Sequence, residues 1–371
     1  MNGRGIPVMV LRGGTSKGAY FLADDLPADP SERDEILLAV MGSPDPRQID
    51  GIGGGHPLTS KVAVIRRSED EAADVDYLFL QVQVDAAVVS AEQPCGNILA
   101  GVGPFAIERG LVPPADPVTP VRVRMVNTGA LAVVHVPTPQ GRVAYEGTTA
   151  LAGVPGTAAR LVIDLHDTAG SVAPSLLPTG NVVDEVDGVP MTLVDNGMPV
   201  ALVAAADLGV TGHETPTELE SRADLRARVE VLRIEAGRRM GLGDVAATTL
   251  PKMCLVAPPA SGGSLATRMF IPHRVHTAIG VLAAVTVATA AAMRGSVAAP
   301  LCRPVASGTR GVVRLEHPTG WFDAVIELAE DARPVRSAIV STARLLLDGV
   351  VYPGPVRSLA PSVAASKGNP S

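Results

Sequence analysis

The sequence is short of aromatic residues, of cysteine and of clustered basic charge, and each shortage removes a class of answer. Only 3% of its 371 residues are aromatic, so platforms for stacking nucleobases are scarce. With a formal net charge of −7 and no basic run, a nucleic-acid partner is not expected. Three cysteines cannot all pair with one another, and none stands at a metal-ligand spacing. That points to a reducing, cytoplasmic compartment and to no bound metal. Residues 1–11 lack the apolar stretch of a secretory leader. Residues 275–293 are nearly uncharged and about long enough to cross a bilayer. They are mostly Ala, Val and Thr, carry His276 and have no second span beside them, so they read as a buried helix and no membrane partner is expected. Gly51-Ile-Gly-Gly-Gly-His56 lacks the spacing of a dinucleotide fingerprint, and residues 12–18 lack that of a P-loop; a strand rather than a helix follows each. No cofactor is expected.

What remains is 46% hydrophobic, enough for a sizeable core built from Ala, Val, Leu and Ile. Glycine (38) and proline (32) are dispersed, which implies many short elements joined by turns. Strands are expected at residues 6–11, 20–22, 61–66, 77–84, 121–125, 131–136 and 161–165. A helix is expected at 31–41, with Ser31 and Asp34 as a capping box and Gly42 as the stop. After the turn Pro178-Thr-Gly-Asn181, strands are expected at 191–194, 200–204, 252–257 and 266–271, and one amphipathic helix at 219–240. Residues 312–316 and 322–328 read as a hairpin around His317-Pro-Thr-Gly320, and Asn196-Gly197 as a type I′ turn. Both halves repeat a rhythm of strands, a polar loop and a small-residue helix. Two pseudo-equivalent domains, each presenting a helix N-terminus to one cleft, would gather positive potential there.

Four segments could carry chemistry. Pro94-Cys95-Gly96-Asn97 precedes an apolar run, residues 98–109, with Ile98, Val102, Phe105 and Ala106 on one face. A cysteine at a helix N-terminus loses its proton more easily and becomes a usable base or nucleophile, while Gly96 and Asn97 leave N–H groups for a carboxylate. Cys254 and Cys302 read instead as packing residues. Lys61 heads an apolar strand behind Thr59-Ser60. A partly desolvated ammonium there is a competent base; the alternative is a lysine reaching from the strand end into water. The loop Arg12-Gly-Gly-Thr15-Ser16-Lys17-Gly18 is either an anion cradle or a solvated hairpin turn. Finally Pro272-His273-Arg274-Val275-His276 places cationic groups just before the second buried helix.

Several motifs occur in this order: Arg12-Gly-Gly-Thr-Ser-Lys17-Gly18, Asp50-Gly-Ile-Gly-Gly54, Thr59-Ser-Lys61, Pro94-Cys95-Gly-Asn97, Leu177-Pro-Thr-Gly180, Asp195-Asn-Gly-Met-Pro199 and His317-Pro-Thr-Gly320. Through them the chain resembles, over nearly its whole length to about Tyr352, the family of 4-oxalomesaconate tautomerases and aconitate isomerase-like PrpF proteins. Met41-Gly-Ser-Pro44 and Phe270-Ile-Pro-His-Arg274 are similar to the 4-oxalomesaconate branch, from gallate breakdown.

The resemblance implies an α+β fold of two pseudo-equivalent diaminopimelate epimerase-like domains. Each is a curved sheet wrapped around a central helix, with the site in the cleft between. The expected domains are residues 1–178 and 179–344, with 345–360 as candidates to complete the first and 358–371 a loose tail. The resemblance also implies Lys61 and Cys95 as the catalytic pair, without cofactor. Lys61 is then the main base, and Cys95 its partner acid or base or an orienting group. Asn97 and the helix start hold one carboxylate, and Arg12, Lys17, Arg274 and His276 are candidates for the others. Thr15, Ser16, Ser60, Gly96, Thr179, Asn196 and Gly280 complete the candidate substrate-binding set. The epimerases' second catalytic cysteine would fall near Thr277-Ala-Ile-Gly280, where there is none. The expected activity is allylic proton transfer on 4-oxalomesaconate. The alternatives are an isomerase of another unsaturated tricarboxylate such as aconitate, and a non-catalytic binder of anionic metabolites. A small tricarboxylate is the expected partner, and a homodimer an allowed assembly.

Overall fold

The computed structural model describes residues 5–91, 95–271, 274–303, 311–330 and 333–354. Pro94, Pro272, His273 and the expected tail lie outside the described residues, as do residues 355–360 of the segment expected to complete the first domain. In the first half, β1 (Ile6–Gly13) and β2 (Ser16–Leu22) form a hairpin, and α1 (Pro30–Met41) crosses to β3 (Lys61–Arg67). There follow β4 (Val75–Val82), β5 (Val89–Ser90), the central helix α2 (Gly96–Glu108), β6 (Val118–Met125) and β7 (Leu131–Pro137). A small separate pair, β8 (Thr149–Ala150) and β9 (Thr157–Ala158), precedes β10 (Leu161–Leu165).

The second half repeats the plan. It runs β11 (Asp184–Val186), β12 (Val189–Asp195), β13 (Pro199–Ala204), α3 (Pro216–Ser221), α4 (Ala223–Arg239), β14 (Lys252–Ala257), β15 (Leu265–Ile271) and β16 (Arg274–Val275). The second central helix α5 (Val281–Ala292) leads to β17 (Val312–His317), β18 (Gly320–Leu328) and β19 (Pro334–Ser341). The last strand, β20 (Ala343–Val351), returns to the first half and pairs antiparallel with β1.

The pairing pattern is the same twice. β1–β2 is antiparallel, β2–β3 parallel, β3–β4 antiparallel, β4–β6 parallel and β6–β7 antiparallel. β12–β13, β13–β14, β14–β15, β15–β17 and β17–β18 repeat that sequence of directions. β10 and β19 pair antiparallel and join the two halves into one continuous sheet. An ion pair from Arg336 on β19 to Asp164 on β10, 2.7 Å, spans this seam.

Each central helix is wrapped by its own sheet, and both share one core in which Ile98, Val102 and Phe105 of α2 join Ala284, Val285 and Ala288 of α5. The shortage of aromatic bulk is met by close approach. A side chain at Gly101 would overlap the Tyr20 hydroxyl, and one at Gly103 would crowd Val134 and Val136. The outer faces carry α1 on one half and α4 on the other, each over its own smaller core. The two N-terminal turns of the central helices meet, since a Cβ on Gly96 would stand 3.1 Å from Val281 Cγ1.

Three local expectations are corrected. Asp29, not Ser31, caps α1: its carboxylate accepts from the Ser31 and Glu32 amides, while Asp34 is held by Arg33. Pro30 at the first helical position fixes the cap one residue before it. The expected helix over 219–240 is broken at Arg222. Leu219 and Leu225 are both buried, yet would lie about 120° apart round a continuous helix, so the break brings both onto the core. The β12–β13 connection is not a type I′ turn. Asp195 pairs with Pro199, leaving three residues in the turn, and only Gly197 among them has positive φ.

Candidate active site

The β1–β2 turn, the head of β3 and the start of α2 converge. Lys61 opens β3 and shares a face with Ala63 and Ile65, which pack in the α2 core. It is 8% exposed, and its ammonium donates to Gln81 Oε1 at 2.7 Å and lies 5.1 Å from the centre of the Phe79 ring. Gln81 sits opposite Lys61 in the β3–β4 ladder. Its amide nitrogen is clamped by the Ser60 and Pro57 carbonyls, at 2.8 and 3.2 Å. That fixes which atom of Gln81 faces the lysine. The residue types alone did not single out Gln81; its signal is a polar side chain at the cross-strand position of a buried lysine.

Cys95 is the N-cap of α2, with extended backbone and no side-chain cap on the helix. The first-turn amides therefore keep donors for a ligand. Two buried tyrosines hold this end in place: Tyr20 donates to the Ile98 carbonyl at 2.7 Å and Tyr77 to that of Cys95 at 3.3 Å. Burial, then the neighbouring Cys95, pushes both phenols well above their ordinary range, so they remain neutral donors. Asn97 accepts from the Thr15 amide at 3.4 Å, and a side chain on Gly14 would overlap Asn97. Ser16, paired with Gly13 on the α2 face, is 2% exposed, and its hydroxyl has no partner among the described residues. An orphaned buried hydroxyl beside an uncapped helix start suits a polar ligand.

The second half contributes the start of α5. Gly280 is its N-cap, again without a side-chain cap, and a Cβ there would meet open space. His276 accepts the Ala278 amide on Nδ1 at 2.8 Å. Burial, then Lys252, lowers its pKa below the usual 6.5. Burial likewise lowers His317, with His276 and Arg268 adding to it, so both imidazoles are neutral at pH 7. Thr319 donates to the Thr277 carbonyl at 2.8 Å, tying the β17–β18 turn to the approach of α5.

The other candidates are placed differently. Arg12 points to the face opposite α2, where its guanidinium donates to the carbonyls of Gly14 and Thr342 and to the Thr342 hydroxyl. It lines a polar pocket of about 510 Å³ with Arg344, Tyr145 and the segment around β8 and β9. None of Lys61, Cys95, Asn97 and Gly280 lines that pocket, so it is separate from the cleft. Lys17 reaches toward Gly54 on the same outer side. Ser60 is fully buried, donating to Val82 and accepting from Gln48. Thr179 is bonded to Asp184. Asn196 is fully buried among Thr168, Thr289 and Ser337. Arg274 is 82% exposed and paired with Glu220. Among the described residues, no three His, Cys, Asp or Glu side chains gather as a metal site, and no helix is long and apolar enough to cross a membrane. Cys254 is fully buried and its thiol is pushed up to about 12 by burial, which fits a packing role; all three cysteines are free.

Known proteins repeat this architecture. The family described as PrpF protein matches residues 4–354. A (4E)-oxalomesaconate Delta-isomerase of Novosphingobium is 56% identical over 93% of this chain and 97% of that protein. A 4-oxalomesaconate tautomerase of Pseudomonas putida is also 56% identical, over 94% and 96%. The crystal structure of a methylitaconate-delta-isomerase, 35% identical, superposes with a TM-score of 0.86 over 94% of this chain and 95% of that one. The chain belongs to the PrpF family, and these relatives are isomerases.

Proposed function

We propose that this protein is a cofactor-independent cytoplasmic isomerase of 4-oxalomesaconate, moving a proton along the substrate's allylic unit in the breakdown of gallate-type aromatic acids. The names of relatives sharing 56% of its residues support the substrate. The observation that carries the mechanism is the buried amino group of Lys61, fixed by Gln81 on the face that leads to the uncapped start of α2.

A proton on a carbon between a double bond and a keto group is acidic, because its removal leaves a charge spread onto the keto oxygen. Lys61, as the free amine, takes that proton and returns it to the far allylic carbon. One base on one face suffices, and the charge of the lysine is restored within the cycle. Cys95 lies at the start of α2, where its thiol can share the proton or orient the substrate. The α2 amides, Asn97 and the Ser16 hydroxyl receive one carboxylate, and donors aimed at fixed charge cost no reorganisation when the reaction occurs. His276, neutral, and the α5 amides face a second carboxylate.

The test is 4-oxalomesaconate incubated with the protein in deuterium oxide and followed by ultraviolet absorbance and proton NMR. Interconversion with deuterium entering the allylic position is expected. Binding without any exchange would mark a metabolite-binding protein. Turnover of aconitate in preference would move the assignment to another unsaturated tricarboxylate.

A further inference from the structure

The two halves place a lysine at the same point. In the first, Lys61 opens β3 and its parallel neighbour on β2 is Gly18, which lies opposite Leu11 in the β1–β2 hairpin. In the second, Lys252 opens β14 and its parallel neighbour on β13 is Val200, which lies opposite Val194 in the β12–β13 hairpin. The faces agree as well. Ala63 and Ile65 continue the Lys61 face into the α2 core, and Cys254 and Val256 continue the Lys252 face into the core shared with α5. Met253 and Leu255, on the other face, pack under α4.

The environments differ. Lys61 is clamped by Gln81, whereas Ile271 follows Phe270, the residue paired with Met253, and so stands at the matching place beside Lys252. Lys252 is half-buried and makes no hydrogen bond or ion pair among the described residues. Burial and Arg233 lower its pKa, and its charge is felt in turn by His276 at the approach to α5. An unpaired, partly desolvated ammonium is costly unless an anion arrives to meet it.

We propose that Lys252 is a second substrate-contacting cation, standing toward α5 as Lys61 stands toward α2 and pairing with the carboxylate held on the second half's side of the cleft. This rests on a polycarboxylate being the substrate. It assigns the two related lysines different work: the clamped one moves the proton, and the unclamped one holds charge that is present in ground and transition state alike.

Lys252→Met is therefore expected to raise KM about 10–100-fold while kcat changes by less than about threefold, the pattern of lost uniform binding. Lys252→Arg keeps the charge and is expected to recover most of the affinity, with melting temperatures of both variants confirming the fold. A calorimetric titration with tricarballylate, a saturated tricarboxylate that cannot isomerise, gives a readout independent of turnover. Wild type is expected to bind it, and Lys252→Met about tenfold or more weakly. Tight binding retained by the methionine variant, no binding by wild type, or a loss confined to kcat would each overturn the proposal. Failure of 4-oxalomesaconate turnover with the tricarballylate difference intact would instead reject the substrate and leave Lys252 as a carboxylate anchor.

Discussion

The starts of the two central helices are built alike and finished differently. α2 has Cys95 as its N-cap and Asn97 as its second residue, and keeps the orphaned Ser16 hydroxyl beside it; α5 has Gly280 as its N-cap, with Leu282 in the place of Asn97. One end thus has a thiol and a clamped lysine, while the other has open space, a lysine unpaired among the described residues and two neutral histidines. A pair of opposed proton carriers is what inversion of a stereocentre requires. An arrangement with reactive groups on one side and charge-holding groups on the other suits transfer along one face. The difference between the halves is thus itself a statement about the reaction.

The largest effect should come from removing the reactive side. Lys61→Met is expected to lower kcat by roughly 10³-fold or more, within or above the range general bases supply, without changing the unfolding midpoint much. Cys95→Ser should cost less, about 10–100-fold, because serine still donates a hydrogen bond and the α2 amides remain. Steady-state rates with 4-oxalomesaconate measure both. A lysine variant of near-normal kcat would reverse the division of labour between the halves.

Next in size is the seam on which the comparison depends. Asp164 on β10 accepts from His135 at 2.7 Å and from Arg336 of β19 at 2.7 Å. Burial alone would raise its pKa, but those hydrogen bonds outweigh it and hold the carboxyl below the usual 3.8. A depressed folded pKa contributes stability that is present above the unfolded value and lost as pH falls through the folded one. The loss is therefore confined to below about pH 4. Asp164→Asn is expected to cost about 1–2 kcal/mol at pH 7, limited by the partial exposure of Arg336, and to flatten the acid limb of a urea-unfolding series. Unchanged stability at neutral pH would show that the ladder bonds and the shared core hold the halves together without this ion pair.

Much of this was legible from residue pattern. The strands at Lys252–Ala257 and Leu161–Leu165 fall where short apolar runs place them, and Cys95 is at a helix start as its flanking residues indicate. The residue pattern does not mark β19 and β20 as strands. Leu346, Leu347 and Val350 are exposed on β20, so no buried face marks it, and its partner β1 is at the far end of the chain. The equivalence of Lys61 and Lys252 was hidden for the same reason. Each lysine looks like an ordinary strand head, and only the register with β2 and β13 puts them in one relation. Arg12 and Arg274 fail to reach the cleft because strand alternation and a partly buried acidic partner, neither apparent from a charged motif, turn them away.

The smallest expected effect sharpens the contrast at Gly280. A side chain on Gly96, the first residue of α2, would press on Val281, which would have to give by a few tenths of an ångström. Gly280 has φ −69° and ψ 144°, an extended N-cap geometry that any residue adopts, and nothing stands where its Cβ would be. Serine is a better N-cap than glycine, by a few tenths of a kcal/mol, because its hydroxyl accepts from the second or third amide of the helix. Gly280→Ser is therefore expected to raise the melting temperature slightly, by about 1 °C in a chain of this size. The same hydroxyl would occupy donors and space that the second carboxylate uses, so KM should rise several-fold with kcat nearly unchanged. Stability and affinity would move in opposite directions from one substitution, as expected where a site leaves its helix start uncapped for a ligand. A stabilised variant with unaltered KM would show that the substrate does not reach α5, and the cleft would have only one working helix end.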